Sequence, residues 1–274
     1  MTDGPEPGVY HNVPFDEYCN WVWMSHSTLK WGLVSMEHLR AAVDGLLPIP
    51  DTNAMRIGRL LHAGVLEPLT MLQDYVVMPR YELDSENKTK QGKPTESKAT
   101  SYYKERVAEF EEVNASKQIV LKSEYETIAG VAAKIASDER CQSYLTNGVA
   151  EVSFVWDDPE TGVRCKGRAD YWQASIGLVV DLKKHDNPKP FTTVMANLNY
   201  HQQLAFYADG LALASGKEVN TGVLVAIESE PPFSIQAAPI TGSCWYQGRK
   251  QYKEEPEWAH DEVTIKVGGK EVTI

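Results

Sequence analysis

The sequence has few of the features that define several whole classes of protein. Its four cysteines are widely scattered and form no Cys-x-x-Cys pair, which argues against a structural zinc or iron–sulfur site. No apolar run approaches the roughly 20 residues that span a bilayer, and nothing at the amino terminus resembles a signal peptide. We therefore expect a soluble protein of a reducing compartment, with no membrane contact. Two disulfides remain arithmetically possible.

Basic residues are also scarce. The 274 residues include 27 Lys and Arg against 38 Asp and Glu, so the formal net charge is −11. Proteins that coat nucleic acid non-specifically usually carry a basic surface, and this balance argues against that class. It does not exclude an enzyme that holds DNA in one local basic groove. With 42% hydrophobic and 24% charged residues, the chain has an ordinary globular composition, which excludes disordered, collagen-like and coiled-coil proteins.

The first 120 residues predict a helical and irregular part. Ser25 or Ser27 can cap a helix that begins at Thr28. Residues 54–66 carry apolar side chains at helical spacing, and Pro68 is expected to end that helix. Within this part, residues 84–101 form a polar and basic loop that contains Lys88, Lys90 and Lys93. The loop is either flexible and solvated, or one that becomes ordered on a phosphate backbone.

After residue 120 the apolar period changes from that of helices to that of strands. Ser123 and Glu126 have the spacing of a capping box for a first helix. Strands are expected at 149–156, 163–172, 176–183, 221–227 and 234–238, with one long helix over 193–215. Residues 263–274 predict a terminal hairpin. No linker divides the chain, so we expect one domain with an amino-terminal elaboration (1–120), an α/β core (121–240) and a carboxyl-terminal extension (241–274).

Charged side chains concentrate on the second and third of these strands. Alternation with a period of two places Arg164, Lys166, Arg168 and Asp170 on one face of the second strand, where the basic groups could meet phosphate. On the third strand, Asp181 and Lys183 share a face directly after an apolar run. An acid and a lysine at the end of a buried strand are costly unless they are paired or bound to a cation. A surface Asp–Lys pair is the simpler alternative.

The spacing of the two acids favours a metal site. Asp170 precedes Asp181 by eleven positions, so two antiparallel strands can present both carboxylates at one point. Together with a backbone carbonyl, that of Leu182, they offer the oxygen ligands that Mg²⁺ prefers. Lys183 could then position or deprotonate an attacking water, which describes phosphodiester hydrolysis.

Six motifs carry a resemblance to a known family. Four of them resemble the PD-(D/E)XK nuclease superfamily: Glu151-Val-Ser-Phe-Val-Trp, Cys165-Lys-Gly-Arg168-Ala-Asp170, Val180-Asp181-Leu-Lys183 and Tyr200-His-Gln-Gln203-Leu-Ala-Phe-Tyr207. Two upstream stretches, at residues 56–68 and 10–30, look like the RecE-type branch, the exonuclease VIII catalytic domain of phage recombination systems. The resemblance covers about residues 8 to 240. It implies a restriction-endonuclease-like core in which helices flank a central mixed β-sheet.

The resemblance also implies roles for individual residues. Asp170 and Asp181 would bind metal with the Leu182 carbonyl, and Lys183 would be the catalytic lysine. His62 matches a histidine that relatives place beside the metal on an upstream helix. Glu151 matches an acid that either holds a second metal through water or orients the lysine, unless it is a surface acid of an edge strand. Gln203 and Tyr207 match a Gln-x-x-x-Tyr motif that contacts the scissile strand, with helix packing as the alternative.

The implied activity is a Mg²⁺-dependent 5′→3′ double-strand DNA exonuclease that leaves 3′ single-stranded tails, with Mn²⁺ able to substitute and two metal ions in each site. Its implied partners are DNA ends, further copies of itself in a ring, and a phage single-strand annealing protein. Its implied location is the cytoplasm of a bacterial host or phage-infected cell. Candidate DNA-binding residues are Arg168, Ser25, Ser27, Lys30, Lys88, Lys90 and Lys93, of which the two serines can equally serve only as helix caps.

Other functions on the same fold stay open. CRISPR-associated relatives often carry a four-cysteine cluster that is missing here, and a restriction-type endonuclease would need base-specific contacts. A non-catalytic DNA-binding protein would be expected to have lost an acid or the lysine. One departure from the family pattern is Lys184-His185-Asp186, where relatives usually have small hydroxyl residues. We expect His185 to lie in a solvated loop.

Overall fold

The computed structural model describes residues 4–32, 34–47, 52–186, 190–240, 242–253, 264–267 and 270–273. The helices are α1 Phe15–Asn20, α2 His26–Gly32, α3 Met36–Val43, α4 Asn53–Leu66, α5 Pro68–Asp74, α6 Ser101–Val113, α7 Lys122–Ser137, α8 Glu139–Tyr144, α9 Phe191–Asn197, α10 Tyr200–Ser215 and α11 Gly242–Lys253. The strands are β1 Gly8–Tyr10, β2 Tyr75–Met78, β3 Gln118–Leu121, β4 Val149–Asp157, β5 Arg164–Gln173, β6 Leu178–Lys184, β7 Thr221–Ile227, β8 Ile235–Ile240, β9 Thr264–Val267 and β10 Lys270–Thr273.

Six strands form the central sheet, in the order β1-β4-β5-β6-β7-β8. Only β6 and β7 pair in parallel within this sheet, and the other neighbours are antiparallel. The parallel pair requires a crossover, which α9 and α10 supply between the two strands. The predicted mixed sheet is confirmed.

Helices cover both faces of the sheet, because its central strands are apolar on both sides. On β7, Val223 and Val225 pack with the buried residues of α4 and α7, whereas Leu224 packs with those of α10. Trp245 of α11 belongs to the same cluster as α10. The predicted α/β class, with helices flanking a central mixed sheet, is therefore confirmed.

Several element boundaries differ from the sequence predictions. The helix α7 starts two residues before the predicted cap: its N-cap is Leu121, whose backbone N–H donates to the Glu124 carboxylate at 2.8 Å, so the predicted Ser123–Glu126 capping box was wrong. The single helix predicted over 193–215 is two helices, which break at Asn199 with its left-handed φ of 54°. The helix α4 ends at Leu66, as Pro68 predicted, and Pro68 itself starts α5, because a first-turn position needs no N–H donor.

The amino-terminal part contributes to the sheet as well as to the helices. Strand β1 pairs antiparallel with β4, which no local pattern had indicated. The amino-terminal part is also joined to the start of β5, since the Met24 N–H donates to the Arg164 carbonyl at 3.0 Å. At the other end of the chain, β9 and β10 pair antiparallel as the predicted hairpin, whose Gly268 and Gly269 lie outside the described residues.

The basic loop is folded on itself. The Asn87 side chain is fully buried, donates to the Glu82 and Ser97 carbonyls, and accepts from the Thr100 hydroxyl at 2.6 Å. The backbone N–H of Thr89 donates to the Lys93 carbonyl at 2.8 Å, which closes the tip. The loop therefore has an ordered conformation of its own without nucleic acid.

All four cysteines are free thiols, so neither of the two arithmetically possible disulfides is present. Among the residues described, no helix combines the length and the apolar character needed to cross a membrane.

Two helical glycines provide opposite tests of this packing. A Cβ at Gly210 of α10 would lie 2.6 Å from the ring of buried Trp156, whereas a Cβ at Gly58 of α4 would meet nothing within 4 Å. We expect Gly210→Ala to destabilise the fold by about 1–3 kcal/mol through overpacking. Gly58→Ala should stabilise it by about 0.5–1 kcal/mol, because alanine has the higher helix propensity. Urea denaturation of both variants measures the two effects, and equal signs would contradict the packing of α10 on β4.

Candidate active site

The acidic residues meet where β5 and β6 separate. Pairing between these strands ends at Tyr171 and Val180, so Asp170 and Asp181 occupy the next position along each strand. There the Asp170 carboxylate accepts from the Leu182 backbone N–H at 2.7 Å. Asp170 lies in the interior of β5, which continues to Gln173. Asp170 and Asp181 are therefore neighbours on adjacent strands at the point where the strands part.

Glu151 and Asp170 also mark a reversal of the side-chain alternation in β4 and β5. Before and after Glu151, Ala150 and Val152 pack on opposite faces of the sheet, although regular alternation would put them on the same face. Ala169 and Tyr171 are divided in the same way across Asp170. Glu151 has a φ of 49°, a left-handed conformation that is rare for a residue other than glycine. Such conformations cluster at functional sites, and here the kink sets the direction of the Glu151 side chain.

His62 reaches the acids from α4 on the neighbouring layer. Its Nδ1 lies 3.5 Å from Glu151 Oε1 and 3.6 Å from Asp170 Oδ1. Its Nε2 donates to the Leu182 carbonyl at 2.9 Å. The histidine therefore lies beside two groups that were predicted to bind metal, Asp170 and the Leu182 carbonyl, and beside the supporting acid Glu151.

Arg168 holds Glu151 in place. Its Nε donates to Glu151 Oε2 at 2.6 Å, and its Nη1 donates to the Val13 carbonyl at 2.7 Å and to the Ser153 hydroxyl at 3.2 Å. The guanidinium carbon also lies 6.0 Å from the ring centre of Tyr18 in α1. The predicted contact of Arg168 with DNA stays a prediction, because the structure shows this side chain linking Glu151 to the amino-terminal segment.

Asp181 and Lys183 form a buried ion pair on the α10 side of the sheet. Lys183 Nζ donates to Asp181 Oδ1 at 2.9 Å and lies 2.7 Å from Oδ2. The second contact lacks hydrogen-bond geometry, and Asp181 Oδ2 has no hydrogen-bond partner among the described residues, although it is buried. On its other side, Lys183 Nζ lies 4.8 Å from the centre of the Tyr200 ring.

Gln203 and Tyr207 lie on one face of α10, as their spacing predicted. Gln203 Nε2 donates to the Tyr207 hydroxyl at 3.1 Å. Burial raises the pKa of Tyr207 well above its ordinary value, and the nearby Tyr18 and Asp181 groups raise it further. The phenol therefore remains a neutral hydrogen-bonding group beside the acids. Whether the pair contacts a scissile strand stays a prediction.

Crowded buried charges shift the pKa values of the site. Burial raises the pKa of Asp170 to about 7, against the opposing effect of His62 and with a further rise from the Asp181 carboxylate. Burial would lower the pKa of His62, but the Asp170 and Glu151 carboxylates outweigh it and raise that pKa to about 9. For Lys183, likewise, the Asp181 and Asp170 carboxylates outweigh burial and raise the pKa. These shifts show that the fold keeps several carboxylates close together in a partly buried place, which is unfavourable for their charged forms.

The donor set fits a divalent cation. The ligand atoms of His62, Glu151 and Asp170 all lie within 4.8 Å of one another. Asp181 Oδ2 adds a buried carboxylate oxygen without a hydrogen bond. Carboxylate and carbonyl oxygens are the ligands of Mg²⁺ and Mn²⁺, and imidazole is tolerated by the latter. A cation here would offset the cost of burial, and the smaller repulsion from Asp181, that raise the Asp170 pKa.

The candidate DNA-binding residues lie in two places. Immediately before α2, Ser25 Oγ accepts from the Thr28 N–H at 3.2 Å, which makes it the helix cap, and it lies 2.8 Å from the Ser27 hydroxyl. Lys30 donates to the Leu198 carbonyl at 3.2 Å, and burial together with the Lys183 charge lowers its pKa. The other candidates, Lys88, Lys90 and Lys93, lie in the folded basic loop, where Lys88 pairs with Glu86.

Two basic residues of β5 do not lie free for phosphate. Lys166 donates to the Tyr18, Cys19 and Trp21 carbonyls and is buried. Arg164 pairs with Asp157 and Glu6. The expectation that these side chains gather at a phosphate was therefore wrong. They fasten the amino-terminal segment to the sheet, a role that the alternation of β5 alone could not reveal.

Sequence reasoning also missed two residues of the site and misplaced a third. Tyr200 and Tyr18 contact Lys183 and Arg168 through their rings, and the only available signal was the Tyr200 position three residues before Gln203. His185 is buried, with its ring 5.2 Å from that of Phe191, so its prediction as a solvated loop residue was wrong.

Comparisons with known proteins concern the fold of the chain. A search of curated proteins found no match. Among solved structures, the chain resembles a Eubacterium rectale protein provisionally described as an exonuclease, with a TM-score of 0.54 and 14% identity over 89% of this chain and 84% of that one. A second structure, SSO0001, gives a TM-score of only 0.28 with 15% identity over 74% and 90% of the two chains, and it carries no argument.

The family comparison covers most of the chain. Residues 25–261 match the model described as a PDDEXK-like domain of unknown function, DUF3799. The six-stranded mixed sheet, its flanking helices and the acids at the parting of β5 and β6 are consistent with that match. The chain therefore belongs to the DUF3799 family and has the PD-(D/E)XK nuclease fold.

Proposed function

We propose that this protein is a metal-dependent deoxyribonuclease that hydrolyses phosphodiester bonds at the His62–Asp170–Asp181–Lys183 site. The observation that carries the proposal is the convergence of two buried carboxylates, the Leu182 carbonyl, a histidine and a lysine from three separate elements. A buried set of this charge is costly in a protein that binds no cation. Each group is of the type that phosphodiester hydrolysis requires.

The side chains have distinct tasks in this proposal. Asp170, Asp181 and the Leu182 carbonyl hold the cation with His62, and Mg²⁺ or Mn²⁺ supplies a Lewis acid for the phosphate charge when bound. Lys183, whose raised pKa keeps it protonated, orients a water molecule or stabilises negative charge on the phosphate. Gln203 and Tyr207 offer hydrogen bonds to the strand that is cut. Glu151 holds a second cation or keeps His62 in place, and the 3.5 Å contact supports the latter task.

The substrate that we propose is the end of a DNA duplex, cut 5′→3′ to leave 3′ single-stranded tails for homologous recombination. The motifs at residues 10–30 and 56–68 support this RecE-type branch of the superfamily. The same resemblance supports a homo-oligomeric ring and a phage-type annealing protein as partner, in the bacterial cytoplasm. Arg168, Lys30 and the serines of α2 would contact DNA at the site, and Lys88, Lys90 and Lys93 would contact the backbone beyond it.

The test uses linear duplexes that carry a label at either the 5′ or the 3′ end of one strand. With Mg²⁺ we expect early release of the 5′ label, late release of the 3′ label and no cleavage of a closed circular duplex. EDTA should stop all release. Early release of the 3′ label would overturn the direction, and cutting of the circle would favour the endonuclease alternative. A protein that binds the duplex without cleaving it in Mg²⁺ or Mn²⁺ would favour a non-catalytic role.

A further inference from the structure

The Lys183 ammonium lies between two partners of different chemistry. On one side are the Asp181 oxygens, at 2.9 and 2.7 Å. On the other side is the face of the Tyr200 ring, whose centre is 4.8 Å away. We propose that Tyr200 is a positioning residue for Lys183, and that its aromatic ring, not its hydroxyl, keeps the ammonium at the reacting centre. This inference rests on the proposed function.

Asp181 alone is a poor anchor for the lysine. In the proposed site its carboxylate also serves as a ligand, so the same two oxygens must satisfy both an ammonium and a divalent cation. Only one of them, Oδ1, has hydrogen-bond geometry with Lys183. A lysine held by that carboxylate alone would lose part of its attachment whenever the carboxylate engages another cation. The Tyr200 ring is the contact that such competition leaves unchanged.

The ring suits this task because of the way it holds a cation. A cation–π contact attracts the whole ammonium group electrostatically within about 6 Å of the ring centre. It directs no N–H to a single acceptor atom, so the three donors of Lys183 stay available to oxygen atoms on the opposite side. A carboxylate in place of the ring would engage these donors and add negative charge to a crowded site.

The position of Tyr200 is set by the turn between α9 and α10. Tyr200 is the first residue of α10 and follows Asn199, whose left-handed φ of 54° aims the start of the helix. One residue earlier, the Leu198 carbonyl accepts from Lys30 Nζ at 3.2 Å. Lys30 thereby fastens the turn to α2. The Tyr200 phenol is partly buried, and this burial raises its pKa. The turn before Tyr200 and the helix α10 after it therefore fix the position of the ring.

The first experiment needs neither metal nor substrate. Ring current from Tyr200 should shift the Lys183 ammonium resonance upfield in a ¹H–¹⁵N spectrum of the metal-free protein, and Lys183→Met identifies that resonance by its loss. Tyr200→Phe should keep the shift and Tyr200→Leu should abolish it. A resonance that stays in place in Tyr200→Leu would overturn the contact itself, whatever the function of the protein.

The second experiment measures turnover on a linear duplex in Mg²⁺. We expect Tyr200→Leu to lower kcat about ten-fold, with unchanged KM and unchanged calorimetric metal affinity, because only the placement of Lys183 is disturbed. Tyr200→Phe should remain within about two-fold of the wild type. Tyr246→Leu, which removes an exposed tyrosine of α11, is the matched control.

The outcomes separate this inference from the proposed function. A Tyr200→Leu protein with wild-type kcat would overturn the positioning role while the wild-type enzyme stays active. A loss of kcat in both Tyr200→Phe and Tyr200→Leu would assign the effect to the hydroxyl and also overturn it. Inactivity of the wild-type protein on every DNA tested would refute the proposed function, and the positioning role with it.

Discussion

Asp170→Asn is expected to lower the rate of DNA cleavage by at least about 1,000-fold and to leave the metal-free protein no less stable than the wild type. In the wild type the Leu182 N–H donates to the Asp170 carboxylate at 2.7 Å. The amide oxygen of asparagine can accept the same hydrogen bond, so the parting of β5 and β6 should persist. What the substitution removes is one negative charge of the cation site. Activity and stability should therefore change in opposite directions.

The stability effect of Asp170→Asn should depend on pH. Burial raises the pKa of Asp170 to about 7 in the folded protein, above its value in the unfolded chain. By linkage, ionisation of this carboxyl costs the folded state stability as the pH rises from about 4 to about 7, and the full cost remains above that range. The gain in Tm from Asp170→Asn should accordingly be larger at pH 8 than at pH 5, measured in EDTA.

Asp209→Asn is the control for Asp170→Asn. Asp209 lies on α10 away from the site and pairs with Arg249 at 2.7 Å. Its substitution should leave cleavage unchanged, since this acid contacts no group of the proposed centre. Cleavage by Asp170→Asn within ten-fold of the wild type would show that the catalytic centre lies elsewhere.

Lys183→Met is expected to lower the single-turnover rate by about 10²- to 10⁴-fold while metal affinity stays equal or rises. The ammonium lies 2.7 Å from Asp181 Oδ2, and its removal frees that oxygen and removes a positive charge that repels a cation. The metal-free variant should lose stability, because the buried Asp181 carboxylate is left without its partner. Added Mg²⁺ or Mn²⁺ should restore part of that loss.

Calorimetric titration with Mn²⁺ and quenched single-turnover cleavage measure the two effects of Lys183→Met separately. Lys217→Met, which removes a cation that lies 5.8 Å from the Trp172 ring, serves as the control and should change neither quantity. Weaker metal binding by Lys183→Met would contradict the competition for Asp181. An unchanged cleavage rate would remove the lysine from the chemistry.

The strands and their acids could be predicted from the sequence because both depend on local patterns. The apolar run before Asp181 and the two-residue period of β5 locate the strands, and antiparallel pairing then brings Asp170 and Asp181 together. The face of β5 on which Lys166 lies was also predicted correctly. The partners of Lys166 were not predicted, because they are three carbonyls of the amino-terminal segment, which lies about 145 positions away in sequence.

The remaining features of the site depend on contacts between distant segments. His62 entered the prediction only through family resemblance, since a single histidine on a helix has no local signal of its own. The direction of the Glu151 side chain depends on a left-handed φ of 49°, which the glutamate itself disfavours and which Arg168 and the surrounding sheet impose. The break at Asn199, which positions Tyr200, is another left-handed residue that helical periodicity does not reveal.

The central claim is that His62, Asp170, Asp181 and the Leu182 carbonyl form a cation site for phosphodiester hydrolysis. Anomalous diffraction from crystals soaked in Mn²⁺ tests it most directly, because the peak locates the ion without any assumption about activity. The account predicts a strong anomalous peak among the Asp170 and Asp181 carboxylates and the Leu182 carbonyl, and its loss in Asp170→Asn. A well-diffracting crystal with no peak there, or with its strongest peak at other residues, would contradict the account.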